Sequence, residues 1–293
     1  MHWIFFALIA PIGWGITSIT DKIVVGKYFK DPVLATILTQ FIGFFCVLAA
    51  SLFFKVIPLD FDTLLLYSFS VCLWLGGILF YFKALFAGEA SRVVTAFNIL
   101  PLFVMALAIG FLGETISGPQ VIGIVLLIMG AALVSFKKSK GHFFRGWILF
   151  VLAATLLFSA DTILTSIVVE RAGWFSALYW KLAIASAVLV LLSPLYARKL
   201  FSLAKKQQKG VMLAGAGEAI SIAARGALYY SFTLAPVSLV YSISSAQPFV
   251  VLVLAVLSTK FIPHFLKEDI GIDQISIKLI AVLLAVAGAI LIS

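Results

Sequence analysis

This sequence is short of charge. Of its 293 residues, 11% are Asp, Glu, Lys or Arg, where a soluble domain carries about 25%. It has three histidines and two cysteines. Cys46 and Cys72 both lie inside apolar runs, which excludes a disulfide framework or a cysteine-based metal site. His2, His142 and His264 fall near three different helix ends or loops, so they form no common acid–base or metal cluster. No Asp/Glu pair has ligand spacing inside an apolar segment. There is no glycine-rich phosphate loop and no Walker-type lysine, so ATP is not expected to drive the protein. These shortages argue against a membrane-embedded enzyme. The expectation is a protein that is not an enzyme and uses no cofactor and no metal.

What the chain has is apolar surface. Hydrophobic residues make up 63% of it, and the mean hydropathy is +1.18. A chain this apolar cannot hide its surplus in one water-soluble core and needs lipid as solvent. The first helix begins at once, with no basic flank or small-residue cleavage site, so no cleavable secretory signal is expected. The net charge of +9 reads as loop charge that orients helices in a bilayer, with no role for nucleic acid.

A helix needs about 20 mostly apolar residues to cross the hydrocarbon layer. Ten segments qualify: 3–20, 33–54, 64–86, 93–113, 118–136, 146–168, 174–196, 211–232, 237–259 and 276–293. Polar breaks such as "GETISGPQ" and "ARKLFSLAKKQQKG" separate them. In "SGPQ", Ser117 can cap a helix, Gln120 can bond back to it, and Pro119 suits the first turn.

The segments repeat. "WIFFALIAPIGWGITSITDKIVVGK" (Trp3 to Lys27) aligns without gaps to "WILFVLAATLLFSADTILTSIVVER" (Trp147 to Arg171), an offset of 147 − 3 = 144. The fourth and ninth spans align on Pro101 and Pro248, offset 147, with Ser91 over Ser238. "IVLLIMGAALVS" and the terminal "VLLAVAGAILIS" align on Gly130 and Gly288, offset 158. The expected halves are 1–140 and 141–293. Each holds five spans, an odd number, so the second enters the membrane upside down. The fold class expected is therefore an all-α integral membrane protein, ten transmembrane helices as two inverted five-helix repeats. Such repeats are a signature of alternating-access transporters.

Ten spans in a 5+5 arrangement, and the run "PLFVMALAIGFLGETISGPQVIGIVLLIMGAALV" with its proline, Gly113-Glu114 pair and closing glycines, resemble the EamA-like branch of the drug/metabolite transporter superfamily. The resemblance covers the whole chain and is strongest from Ala84 to Ser135. It implies a secondary-active transporter in the cell membrane and names no substrate. The second half departs from the pattern. Lys260-Phe261 stands where Gly113-Glu114 would recur, and "IPHFLKEDIGID" follows it. Gln40 and Lys181 stand near positions where the family often has arginine.

Several features have structural readings. Gly123 and Gly130, with Ala281 and Gly288, lie seven apart on one helical face and suit close helix packing or a dimer interface. Pro101 and Pro248 either kink their spans or free a carbonyl toward a cavity. Glu114 is expected to tie the turn between spans four and five. Trp3, Trp147 and Trp174 read as interfacial anchors.

Candidate site residues are the charges inside apolar runs: Asp161 (span six), Lys181 (span seven), and Glu218 and Arg225 (span eight). A charge at mid-membrane costs roughly 2.5–3.5 kcal/mol. Their repeat partners Thr17, Gln40, Val71 and Ile78 are neutral, so the fold can be built without the charges. One reading is mutual neutralisation across helices. The other is a site for a small polar or amphipathic metabolite, with Glu218 and Arg225 contacting substrate and Asp161 or Glu218 coupling to H⁺. Trp14, deeper than Trp3, Trp147 and Trp174, and Asn98, in span four, are further candidates. Glu218 and Arg225 stand about 10 Å apart along the helix axis, so no direct bond between them is expected. Expected partners are a small-molecule substrate, membrane lipids and H⁺, with the protein a monomer or homodimer. The alternative function is a flippase for lipid-linked intermediates or a small-molecule channel of the same fold.

Sixteen of the 21 Lys and Arg residues flank odd-numbered loops, and only Lys55 and Arg171 lie in even-numbered ones. Positive loops stay in the cytoplasm, so the charge count puts both termini outside. The resemblance implies both inside. The expectation taken here follows the charges.

Overall fold

The computed structural model describes residues 2–88, 93–94, 96–134, 146–258 and 272–292. Among these no strand occurs. The helices are α1 (His2–Ile23), α2 (Pro32–Ala50), α3 (Phe61–Ala87), α4 (Leu100–Leu107), α5 (Gly118–Val134), α6 (Trp147–Ala172), α7 (Trp174–Lys206), α8 (Gln208–Phe232), α9 (Val237–Ser242), α10 (Gln247–Ser258) and α11 (Ile272–Ile292). Among the described residues, six helical stretches are long and apolar enough to cross a membrane: His2–Phe29, Pro32–Ala50, Phe61–Ala87, Trp147–Ala172, Trp174–Leu191 and Gln208–Phe232. Shorter apolar helices run over Phe97–Leu112, Gly118–Gly130, Val237–Val251 and Leu283–Ile292. Helices satisfy every backbone polar group within themselves, which is what a hydrocarbon solvent demands. The chain is a multi-pass, all-helical membrane protein.

Local chemistry sets the helix ends. Asp31 caps α2, accepting from the Val33 amide at 2.9 Å, with Pro32 in the first turn. Asp60 caps α3, and the hydrogen bonds from Thr63 hold its carboxyl below the usual range. At α5, the Ser117 amide donates to Gln120 at 3.0 Å and the Gln120 amide donates to Ser117 Oγ at 3.4 Å, the reciprocal cap expected from "SGPQ". The chain turns through left-handed backbone at Gly113 (φ 66°), where glycine carries no steric penalty.

Two boundaries differ from the sequence reading. Asp21 and Lys22, expected in a polar break, lie in α1, which continues as a π-helical turn to Phe29. Lys22 reaches the carbonyls of Leu85 and Gly88 at the end of α3, the latter at 2.6 Å. The polar stretch 197–206 is helical as the end of α7. Its Ala, Leu, Lys and Arg favour helix and no glycine or proline interrupts them.

Pro101 lies in the first turn of α4, directly after the 3₁₀ turn Phe97–Ile99. Pro248 occupies the matching place in α10, after the 3₁₀ turn Ile243–Ala246. In both spans the proline stands where a 3₁₀ turn passes into α-helix.

The glycines of α5 face α11 within the same chain. A Cβ on Gly130 would lie 2.7 Å from the Ala281 carbonyl oxygen, and one on Gly288 would lie 2.6 Å from that of Gly123. These glycines are therefore used in intramolecular packing. Gly288→Ala should force the two backbones apart and lower stability by about 1–3 kcal/mol. A thermal-unfolding midpoint in detergent equal to that of the parent protein would refute this contact.

Candidate functional site

A cavity of about 190 Å³ opens between the helices, more than ten times the roughly 10–15 Å³ that holds one water. Its walls come from both halves of the chain: Trp14, Thr17 and Asp21 on α1, Gln40 on α2, Trp74 and Tyr81 on α3, Asn98 and Pro101 at α4, Asp161 and Thr165 on α6, and Glu218 and Arg225 on α8. The α9–α10 junction adds Tyr241, Ser245 and Gln247. Among the described residues, none from α5 or α11 lines it.

Asp161 and Lys181 form a closed pair. The Lys181 ammonium donates to both Asp161 oxygens at 2.7 Å and to Thr165 Oγ1 at 2.6 Å. Ser70 Oγ donates to Asp161 Oδ1 at 2.6 Å. The rings of Tyr67, Trp74 and Tyr229 surround the ammonium at 5.6, 5.4 and 5.6 Å. Lys181 is 0% exposed and is not part of the cavity wall. Of the residues expected at the site, it is the one held behind it.

Glu218 and Arg225 are arranged differently. Arg225 Nη1 lies 3.7 Å from Glu218 Oε1, closer than their axial spacing suggests, although no hydrogen bond joins the two, as expected. The long guanidinium side chain closes most of the axial gap. The contact is ionic without being a hydrogen bond, since both atoms are buried without a hydrogen-bond partner. Arg225 also donates to Ser221 Oγ at 3.3 Å and stacks over Trp74 at 4.8 Å.

Buried polar groups are normally hydrogen-bonded. Among the described residues, the buried side-chain atoms without a partner are Gln40 Oε1, Asn98 Nδ2, Glu218 Oε1, Arg225 Nη1 and Ser245 Oγ. All five residues line this cavity. They include two acceptors, two donors and one hydroxyl, and the walls around them are aromatic. Such a surface suits a small molecule with both a donating and an accepting pole.

The structure brings Trp14, Asn98, Asp161, Glu218 and Arg225 to one cavity. Sequence reasoning missed Asp21, whose carboxylate accepts from the Tyr81 hydroxyl at 3.0 Å. The signal was present: Trp14, Thr17 and Asp21 are spaced i, i+3, i+7, one face of a helix. Ser245 was also missed, although it stands 147 residues after Asn98 (245 − 98 = 147), the offset of the two prolines.

Glu114 does not tie the span four–five turn as expected. Its carboxylate accepts from the Val237 amide at 2.6 Å, the Ser238 amide at 3.2 Å and the Ser238 hydroxyl, capping α9 across the chain. A carboxylate beside a left-handed glycine can reach out of its own turn.

Residues 1–136, which carry α1 to α5 and Glu114, match the EamA-like transporter family. An uncharacterized protein of Methanocaldococcus jannaschii is 35% identical over 137 residues, 46% of this chain and 97% of that protein. The chain belongs to the EamA-like transporter family. The fold extends to the whole EamA-like chain. A solved crystal structure superposes with a TM-score of 0.67 over 99% of this chain and 95% of the other, at 19% identity. Members of this family are transporters, in keeping with the expectation that the protein is not an enzyme. Among the described residues no group of His, Cys, Asp and Glu could hold a metal ion.

Proposed function

We propose that this protein is a secondary-active transporter that moves a small polar or amphipathic metabolite by alternating access, with H⁺ as the coupling ion. One observation carries the reading: the unpartnered buried polar atoms converge on a single aromatic-walled cavity. A fold maintains such atoms at a cost unless something binds them.

The architecture proposed is ten spans in two inverted repeats, 1–140 and 141–293. The Phe97–Leu112 stretch counts as span four, and α9 with α10 as span nine. Helix pairing supports it. α1 packs on α8 and α3 on α6, while α2 pairs with α7, α4 with α9 and α5 with α11. Exchanging the halves turns the first pair into the second and leaves the other three unchanged. The archaeal relative, matched over 97% of its own length by 46% of this chain, supports a half-chain unit.

In the cycle proposed, substrate sits between the halves against Glu218 and Arg225. Asp161 is occupied by Lys181 and Asp21 accepts from the Tyr81 hydroxyl, so Glu218, whose Oε1 has no hydrogen-bond partner, is the carboxylate proposed to take the coupling proton. Reconstitution into liposomes tests this. Labelled amino acids, sugars, nucleosides and cationic drugs are offered with and without an imposed proton gradient. Accumulation above equilibrium only with the gradient is expected. Passive equilibration would point instead to a channel, and lipid scrambling without solute flux to a flippase.

The orientation proposed follows the positive charges, with both termini outside. A cysteine introduced at position 140, in the basic stretch of sequence between the halves, should stay unreactive to an impermeant thiol reagent on intact cells. Labelling there would reverse the topology.

A further inference from the structure

The two halves balance charge in different ways. Under the repeat offsets, Thr165 stands over Asp21 (165 − 144 = 21) and Lys181 over Gln40 (181 − 40 = 141). In the second half the Lys181 ammonium makes three donations, to the two Asp161 oxygens and to Thr165 Oγ1, inside a ring of aromatic faces. That is a complete ammonium site whose occupant is tethered to the chain.

The matching place in the first half offers acceptors. Gln40, where the lysine would stand, is 1% exposed and its Oε1 has no hydrogen-bond donor. Glu218 Oε1 likewise has none, and Asp21 is bonded to the Tyr81 hydroxyl. The three share one level of the bundle. A Cβ on Gly217 would lie 2.8 Å from Thr20 Oγ1, which brings the neighbouring Asp21 and Glu218 to the same crossing of α1 and α8. A Cβ on Gly43, one turn from Gln40, would lie 3.0 Å from Glu218 Oε1. Trp14, Trp74 and Tyr81 add aromatic faces to the same cavity. Charge points the same way. Asp161 and Lys181 cancel. Asp21 and Glu218 are set against Arg225 alone, one positive charge short among the cavity-lining side chains of that face.

We propose that Asp21, Gln40 and Glu218 form the binding site for a primary ammonium group of the substrate, the first-half counterpart of the Lys181 site. A primary ammonium carries three N–H donors for three acceptors, and the aromatic faces favour its charge. A quaternary ammonium has the charge without the donors and binds more weakly. A neutral hydroxyl has neither the charge nor enough donors. Gln40→Lys supplies the missing ammonium from the chain itself and blocks the site.

The inference rests on the cavity being the substrate site, and binding to purified protein tests it apart from transport. The probes are phenethylamine, its trimethylammonium analogue and 2-phenylethanol, read by thermal unfolding in detergent. At about a hundredfold excess over its Kd, phenethylamine should raise Tm by about 5 °C or more. The other two probes should do so by less than half. Gln40→Lys should have a higher Tm without ligand and no response to the amine. Asp21→Asn should weaken the amine response at least about tenfold in Kd, and it decides the matter if the lysine variant does not fold. Equal shifts from all three probes would overturn the proposal. So would an undiminished amine response in Gln40→Lys, or in Asp21→Asn should the lysine variant not fold. Amine-specific binding without gradient-driven uptake would count against the transport mechanism alone, and uptake without amine preference against this site alone.

Discussion

Glu218→Gln abolishes the gradient-driven component of uptake while leaving the protein folded and inserted. Glutamine keeps the shape and a hydrogen-bonding carbonyl but cannot take up and release a proton. Glu218 lines the cavity, is 8% exposed, and has one oxygen with no hydrogen-bond partner. Among the described residues its one ionic contact is Arg225 at 3.7 Å, too long for a hydrogen bond. The carboxylate is therefore loosely held and available for exchange, unlike Asp161. Arg225→Met should remove substrate-dependent flux as well, because it deletes a donor with no other partner at Nη1. Uptake in Glu218→Gln liposomes should fall to the level seen without a gradient, with the size-exclusion profile unchanged. Normal transport by both variants would leave the two charges as a structural pair and sink the mechanism.

Lys181→Met produces the largest loss of stability. It leaves the Asp161 carboxylate, buried on α6, without its cation. Removing one partner of a buried ion pair costs about 3–5 kcal/mol, a large part of the roughly 5–15 kcal/mol that holds a typical protein together. The expected fall in Tm is about 10 °C or more. The double variant Asp161→Leu with Lys181→Met should regain much of this, because well-packed apolar groups can replace a buried pair at little cost. Recovery stays incomplete, since Ser70 and Thr165 lose a partner. Unfolding midpoints of the two single variants and the double variant form a thermodynamic cycle. A single variant as stable as the parent protein would show that the pair contributes nothing to stability.

Both expectations began as charges in apolar runs, and the tertiary structure separated them. Along the chain, Asp161, Lys181, Glu218 and Arg225 are alike: each is an expensive charge in lipid. In three dimensions one pair is saturated and the other is not. No periodicity distinguishes these cases, because the partners of Asp161 lie 20 residues away at Lys181 and 91 residues away at Ser70.

The sequence alone determined the solvent, the helical class and the offsets at which its segments resemble one another. These follow from composition and local period, since a chain that is 63% hydrophobic must satisfy its backbone inside helices. It also determined local devices such as the Ser117–Gln120 cap, whose partners are three residues apart. Only the tertiary structure decided that Asp21 faces the cavity, that Glu114 caps α9 across 123 residues, and that the glycines of α5 meet α11. Those outcomes depend on which helix faces touch, and contacts between distant segments are set by packing the whole bundle at once.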